Sequence, residues 1–573
     1  MHDPEPSPWR KGIEYLEVLL PGSTEFSYKC QKCGKTCTNK NYMKYQHQQH
    51  CPNHQRKGTL LEQTSIRKYL EKDNENDSET IKIVRFLCEN AVSINATQSK
   101  SFSDLFSKKY DDKTIRKQVI DYAEKLKSQT KDQIKDLIVS LVIDGATLND
   151  TSGWYAVGLA TRTNIYFYDV YHVASSTTKS LSHLVNSVIE EIEKETRAKV
   201  VGASTDNADN IKNVFDPNHS DGISKLYGKH LLRIPCQAHT TNLVVVTYER
   251  EDPHYSELIS QIKSFAKTAH EKCIHEAIGI KKRCPMMREQ RWFTEYDCLD
   301  WIITNKGKIE AAFPVIADLM KIKKSPITDE WGLLHHALGP LRYYTTIVES
   351  NICSIGRSYK EFKSMKYQLE MMKNNKFAID LLQIIEKRWS STADINLLWL
   401  ADFVAPDKYI KWQDKKQTIA NLIAKGESTT EQEAEFVKMQ DELDLAIKTT
   451  IKYSYHMGYI FDDDDQNIGF LLATGKIPRN RRADYYWEGM KAVSGQFEIA
   501  AKLQNVTGID VHKISDVCEF YCKIRSLPSS EAFCERIFSN MRLLFPKSRS
   551  SSNDDLVRAQ TLIRMVMSLD NEY

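Results

Sequence analysis

Residues 137–144 read LIVSLVID, an apolar run interrupted only by Ser140 and closed by a carboxylate at Asp144. A short run of this kind, rich in β-branched residues, is the pattern of a strand buried on both faces. Two further strand-like segments follow, WYAVGLAT at 154–161 and IYFYDVY at 165–171, separated by the turn-prone Arg162-Thr163-Asn164. Together the three predict an antiparallel meander. Next comes a helical face made by Leu181, Leu184, Val185, Val188, Ile189 and Ile192, then the strand KVVGAS from Lys199 to Ser204, a helical stretch, and a short strand near Leu232 to Cys236.

Three strands, helix, strand, helix, strand is the order of a ribonuclease-H-like mixed sheet, so the expected class is α/β plus all-α. The all-α part is the stretch from about Tyr248 to Val511, which reads as helix after helix with many Leu, Ile, Tyr and Trp residues and few strand signals. It forms a large helical insertion, within which Asp462 to Asp465 is a solvated acidic turn. The expected segments are 1–58 (a small zinc-finger module), 59–83 (a linker), 84–135 (a helical lead-in), 136–247 (the sheet), 248–511 (the insertion) and 512–573 (a terminal helical region). In the lead-in, Ser101 and Ser103 are candidate caps before Leu105 and Phe106. No repeat at solenoid periods is evident.

Composition bounds the answer. The chain has 573 residues, 41% of them hydrophobic and 27% charged, with only 22 Gly and 16 Pro, which describes a multidomain globular protein rather than a collagenous or disordered one. A net charge of +3 is close to neutral for this length, so any affinity for nucleic acid must come from local basic patches. The amino terminus MHDPEPSPWRK lacks an apolar signal core, and no later stretch has the ~18 consecutive apolar residues of a membrane span, which predicts an intracellular protein without a membrane partner. Thirteen cysteines, an odd number, suit reduced thiols and a metal site better than a disulfide framework.

Four of those cysteines lie between Cys30 and Cys51. The spacing Cys30-x2-Cys33, thirteen residues, then His47-x3-Cys51 suits tetrahedral Zn²⁺, with His50 or His54 able to replace Cys51. It resembles a BED-type finger. Lys40, Lys44 and Arg56 flank the ligands, so a helix around Met43 to Gln49 could meet DNA.

Asp144 and Asp206 each follow a predicted strand, Asp206 in KVVGASTDNADN at 199–210. Carboxylates at the ends of neighbouring strands project into one crevice, where they can hold hard, oxygen-seeking cations such as Mg²⁺ or Mn²⁺. Asp209 reads instead as the start of the next helix. A third acid, Glu535, lies in SSEAFCERIFS at 529–539, with Glu531 one turn earlier on the same helical face as the other possible ligand. Cys236 and His239 are too few for a structural zinc site and read as supports ordering the strand end near Asp206. Arg291 reads as a phosphate contact, and Lys281-Lys282-Arg283 as part of a DNA path or a nuclear address. Arg479, Arg481 and Arg482 before Tyr485, Tyr486 and Trp487 suggest either a solvated helix start or a backbone contact with an aromatic ledge.

Five motifs in order, VIDGAT at 142–147, STDNADN at 204–210, CQAHTTNL at 236–243, REQRWFTEY at 288–296 and SSEAFCERIFS, give the chain a resemblance to the hAT superfamily of transposases, in the branch whose catalytic domain opens with Asp-Gly. The resemblance implies a nuclear, cut-and-paste DNA transposase with Asp144, Asp206 and Glu535 as metal-binding acids. It also implies hairpin formation on flanking DNA, a role for Trp292 at DNA ends, and at least a homodimer through the carboxyl-terminal region. Two departures stand out: Ala146 sits where members commonly carry an aromatic, and Cys534-Glu535-Arg536 replaces the usual Ser-Glu-Arg. The rival expectation is a domesticated, inactive relative that regulates through finger and dimer surface; a ribonuclease-H-like exonuclease fits less well, because it predicts neither finger nor insertion.

Overall fold

The computed structural model of the protein describes residues 15–19, 26–30, 36–37, 79–104, 110–148, 152–287, 293–320, 327–350, 353–391, 395–454, 457, 459, 487, 511–546 and 553–570. The chain forms two compact units, Met1–Gln118 and Val119–Tyr573. In the first, β1 (Tyr15–Leu19), β2 (Phe26–Cys30) and β3 (Thr36–Cys37) make a three-stranded antiparallel sheet, followed by helix α1 (Glu79–Glu89). A one-turn helix, Lys100–Ser103, is capped by Ser99, whose Oγ accepts from the Phe102 amide at 3.2 Å. The expected caps Ser101 and Ser103 are thus inside the turn; Ser99 has the extended backbone that a capping residue needs.

Helix α2 (Asp112–Ile134) carries the boundary between units, Gln118 being the last residue of the first. Its later half belongs to the second unit because Lys127 and Lys131 pair there with Asp169 and Glu191, at 3.0 and 2.9 Å.

The second unit is built on five strands in the order β6-β5-β4-β7-β8. These are β4 (Ile138–Leu148), β5 (Ser152–Ala160), β6 (Ile165–Val173), β7 (Lys199–Thr205) and β8 (Leu232–Pro235). Strands β4, β5 and β6 are antiparallel neighbours, while β7 and β8 join β4 in parallel. Helix α3 (Thr178–Thr196) connects β6 to β7, as a parallel return requires. It buries Leu181, Val185, Val188, Ile189 and Ile192 against Leu141, Ile143, Val157 and Leu159 on one face of the sheet.

Strand β4 runs four residues beyond Asp144, which corrects the expectation that this acid closes its strand. The antiparallel partner keeps pairing as far as Leu148↔Ser152, whereas the parallel partner β7 stops at Ile143↔Thr205.

After β8 come α4 (Gln237–Glu251), α5 (Pro253–Glu271), α6 (Thr294–Thr304), α7 (Asp329–Val348), α8 (Ile355–Met371), α9 (Lys376–Ser391), α10 (Ile395–Phe403), α11 (Pro406–Lys425) and α12 (Thr430–Ser454). They share one aromatic-rich core, with Trp331, Trp389, Tyr255, Tyr344 and Tyr409 fully buried. Trp487 belongs to it too: it is 0% exposed and its indole N–H donates to the Val404 carbonyl at 2.8 Å, which rules it out as an open ledge for DNA. The chain then returns through α13 (Val511–Ile524), α14 (Ala532–Leu544) and α15 (Asp554–Asp570). Helix α14 packs on β4 and β5, and α15 on β6. No helix among the described residues is long and apolar enough to cross a membrane.

The approach of the terminal segment to the sheet depends on two glycines. A Cβ at Gly158 would lie 2.9 Å from the Phe533 ring, and one at Gly202 would lie 2.5 Å from both the Leu232 carbonyl oxygen and the Leu527 side chain. Only the missing side chain lets α14 and its lead-in lie this close.

Candidate active site

Alternation along β4 puts Asp144 on the same face as Ser140 and Val142, opposite Ala156 of β5. Asp206 is the first residue after β7, and Asp144 the first of β4 beyond the β4–β7 ladder. The two carboxylates therefore flank the fork where β7 parts from β4. They line a crevice of about 230 Å³ together with Gly145, Thr147, Tyr155 and Asn210. Backbone amides hold both acids locally: Gly145 donates to Asp144 Oδ1 at 2.8 Å and Ala208 to Asp206 Oδ1 at 3.3 Å.

The loop bearing Asp206 is clamped from β8. Arg233 donates through Nε to Thr205 Oγ1 at 2.8 Å and through Nη2 to Asn207 Oδ1 at 2.9 Å, and also to the Asp206 carbonyl. Burial lowers its guanidinium to about 10, against the opposing pull of Asp206 and Glu531. No sequence signal marked Arg233; its neighbours Leu232 and Ile234 read only as strand.

Cys236 caps α4, its sulfur accepting from the His239 amide at 3.3 Å, while its own amide donates to the Thr205 carbonyl at 2.8 Å. That links the first turn of α4 to the residue preceding Asp206. His239 is partly buried, and burial lowers its pKa although Asp206 pulls the other way.

The glutamates arrive on α14. Its lead-in is pinned by Ser529, whose amide and hydroxyl both donate to the Cys353 carbonyl, at 3.1 and 3.0 Å, and whose carbonyl accepts from the Gln237 amide at 2.9 Å. Ser530 Oγ accepts from the Ala532 amide at 3.0 Å and lies 3.3 Å from the Cys236 sulfur. Glu531, at the N-cap position of α14, is 1% exposed, and its Oε2 is buried with no hydrogen-bond partner. Glu535, one turn on, is partly exposed and lines a second cavity of about 650 Å³ with Lys282, Arg283, Arg342, Arg536 and Asp297.

Electrostatics tie these acids together. Burial, then the charges of Asp206 and Glu535, push the Asp144 carboxyl up to about 8. Glu531 is raised well above the usual carboxylate range by complete burial and then by Asp144. Burial, and then the charge of Glu531, raise the Cys236 thiol. Oxygen donors massed this way suit a hard cation in their chemistry. Their placement is looser than expected: Asp144 and Asp206 share a crevice, Glu535 lines the other cavity, and among the described residues no three His, Cys, Asp or Glu side chains form a ready cation-binding group.

Trp154 is buried and stacked on His172 at 5.1 Å, in a pair with Ala146 across the β4–β5 ladder. Arg291 and Trp292 lie outside the described residues, as do Cys33, His47, His50, Cys51 and His54; of the zinc set only the backbone of Cys30, ending β2, is described. No protein-family model and no curated protein matches the chain.

Proposed function

We propose that this protein is a DNA transposase of cut-and-paste type, with a ribonuclease-H-like catalytic centre that cleaves element ends and transfers the freed strand to target DNA. The observation that carries the reading is the pair Asp144 and Asp206 at the fork between β4 and β7, with Asp144 raised to about 8 by burial and by the neighbouring acids Asp206 and Glu535. Carboxylates held together at such cost are typical of functional sites. The meander β4-β5-β6 followed by parallel β7 and β8 is the strand arrangement such a centre uses.

Asp144 and Asp206, with Glu535 or Glu531, are the residues to hold a pair of Mg²⁺ ions. Bound divalent ions supply activation of the attacking oxygen and stabilisation of the leaving one. Arg233 and Cys236 keep the Asp206 loop in position. Lys282, Arg283, Arg342 and Arg536 in the Glu535 cavity provide cations for a phosphate backbone. A zinc finger at Cys30, Cys33, His47 and Cys51, a homodimer through the terminal helices and a nuclear location complete the reading.

One observation favours a second reading, a catalytically silent DNA-binding and dimerising regulator: Glu535 lines a cavity separate from the two aspartates. Incubating purified protein with Mg²⁺ and labelled DNA carrying the element's terminal repeats separates the two. Cleaved and joined products from the wild type, absent with Asp206→Asn, support the transposase. Equal product from both proteins refutes the assignment of Asp206, and none from either supports the regulator.

A further inference from the structure

We propose that Glu531 is a cation ligand of the acid centre, presenting its Oε2 to a divalent ion shared with Asp144. This deepens the metal-centre reading above and rests on it.

Glu531 is the most deeply enclosed acid of the group. Its side chain is 1% exposed, and Oε2 has no hydrogen-bond partner. A buried polar atom without a partner is destabilising, and an ionised one more so. A divalent cation satisfies the oxygen and offsets its charge together with that of Asp144.

The surroundings point the same way. The charged groups that act on Glu531 are Asp144 and Asp206, and Glu531 in turn acts on Arg233. Glu531 also helps to raise the Cys236 thiol, whose sulfur lies 3.3 Å from Ser530 Oγ. Ser529 and Ser530 fix the backbone immediately before it through the Cys353 carbonyl, the Gln237 amide and the Ala532 amide. The carboxylate thus sits on a rigid support at the start of α14, whereas Glu535 opens onto the basic cavity. This division leaves Glu535 facing the phosphate side of the centre and Glu531 its interior.

The test is Mn²⁺ binding by the full-length protein, followed by titration calorimetry and by the Mn²⁺ electron paramagnetic resonance signal. Wild type, Glu531→Gln and Glu531→Asp are compared, with unfolding temperatures measured in chelator to establish that each variant is folded. The expectation is Mn²⁺ uptake by the wild type, weakened roughly tenfold or more in both variants, since losing even a group that supports a ligand costs that much. The Mn²⁺-induced rise in unfolding temperature should shrink in parallel. Wild-type affinity in either folded variant overturns the role of Glu531 while leaving the metal centre standing. Failure of the wild type to bind Mn²⁺ overturns both.

Discussion

The Cys534 thiol donates to the Val142 carbonyl at 3.3 Å, joining α14 to the middle of β4 across 392 positions of sequence. Val142 lies two residues before Asp144, and Cys534 one before Glu535. Through this contact, and the parallel one from Cys534 to the Ala156 carbonyl at 3.5 Å, the terminal helix brings its glutamates to the face of the sheet that carries Asp144.

Docking of α14 should be the weak point for substitution at the small residues beneath it. Gly202→Ala places a methyl 2.5 Å from the Leu232 carbonyl oxygen, a backbone atom that cannot swing away. We expect destabilisation of about 1–3 kcal/mol from overpacking, read as a lower denaturation midpoint, together with loss of DNA cleavage. A midpoint equal to wild type would contradict the close approach.

Asp144 sets a pH dependence with a definite sign. Its carboxyl is raised from 3.8 to about 8 by burial and then by Asp206 and Glu535. The folded protein therefore binds a proton there that the unfolded chain has released, so this contribution to stability declines as pH rises from about 4 to about 8. Unfolding measured in chelator should show a shallower slope over that range for Asp144→Asn, which should also match or exceed wild-type stability at pH 8 while losing activity. An unchanged slope would count against a half-buried, acid-crowded Asp144.

Glu191 behaves in the opposite sense. Burial opposes its ionisation, but Lys131, Lys127 and the Tyr168 hydroxyl outweigh that and hold it at about 2. Its stabilising contribution is present above the ordinary carboxylate range and is lost as pH falls through about 2. In Glu191→Gln the acid limb of the stability profile should flatten, as acid titration followed by circular dichroism would reveal.

Asp169 should matter more for folding than any exposed acid. Lys127 from α2 and Arg558 Nε from α15 both donate to its buried carboxylate at 3.0 Å. Asp169→Asn removes the carboxylate that the two cations share, while Lys127 keeps Glu191 at 3.0 Å, for an expected cost of about 1–3 kcal/mol. Replacing Lys127 by Met in the same background should recover part of it.

Arg233→Lys tests the clamp on the Asp206 loop. A lysine cannot reproduce the fork to Thr205 and Asn207. Activity should fall roughly 10- to 100-fold with little change in the unfolding midpoint. Wild-type cleavage by this variant would show that the loop needs no such support.

Much of the sheet was readable because strand signals are local. The apolar run at 137–143, the segments at 154–161 and 165–171, and KVVGAS each became a strand within a few residues of the expected bounds, and the helix with Leu181 and Ile192 buries the expected face. Reading failed where a partner elsewhere decides the outcome. Asp144 lies mid-strand because β5 goes on pairing after β7 has stopped. Trp487, five residues after Arg482 in the sequence, lies in the core, where Val404, 83 residues earlier, accepts its N–H.

Local periodicity and composition alone therefore determined that there is a meander, a helix and two further strands, then a long helical stretch, because hydrophobic spacing is recorded within each element. What only the tertiary structure decided is how the acids share their surroundings. Glu531 is enclosed and Glu535 opens onto a basic cavity because the pinned serines, the bare Gly158 and Gly202, and the Cys534 contact set the height and rotation of α14 over the sheet. Helical spacing places those two glutamates on one face; packing distinguishes them, since burial is a property of neighbours drawn from distant parts of the chain.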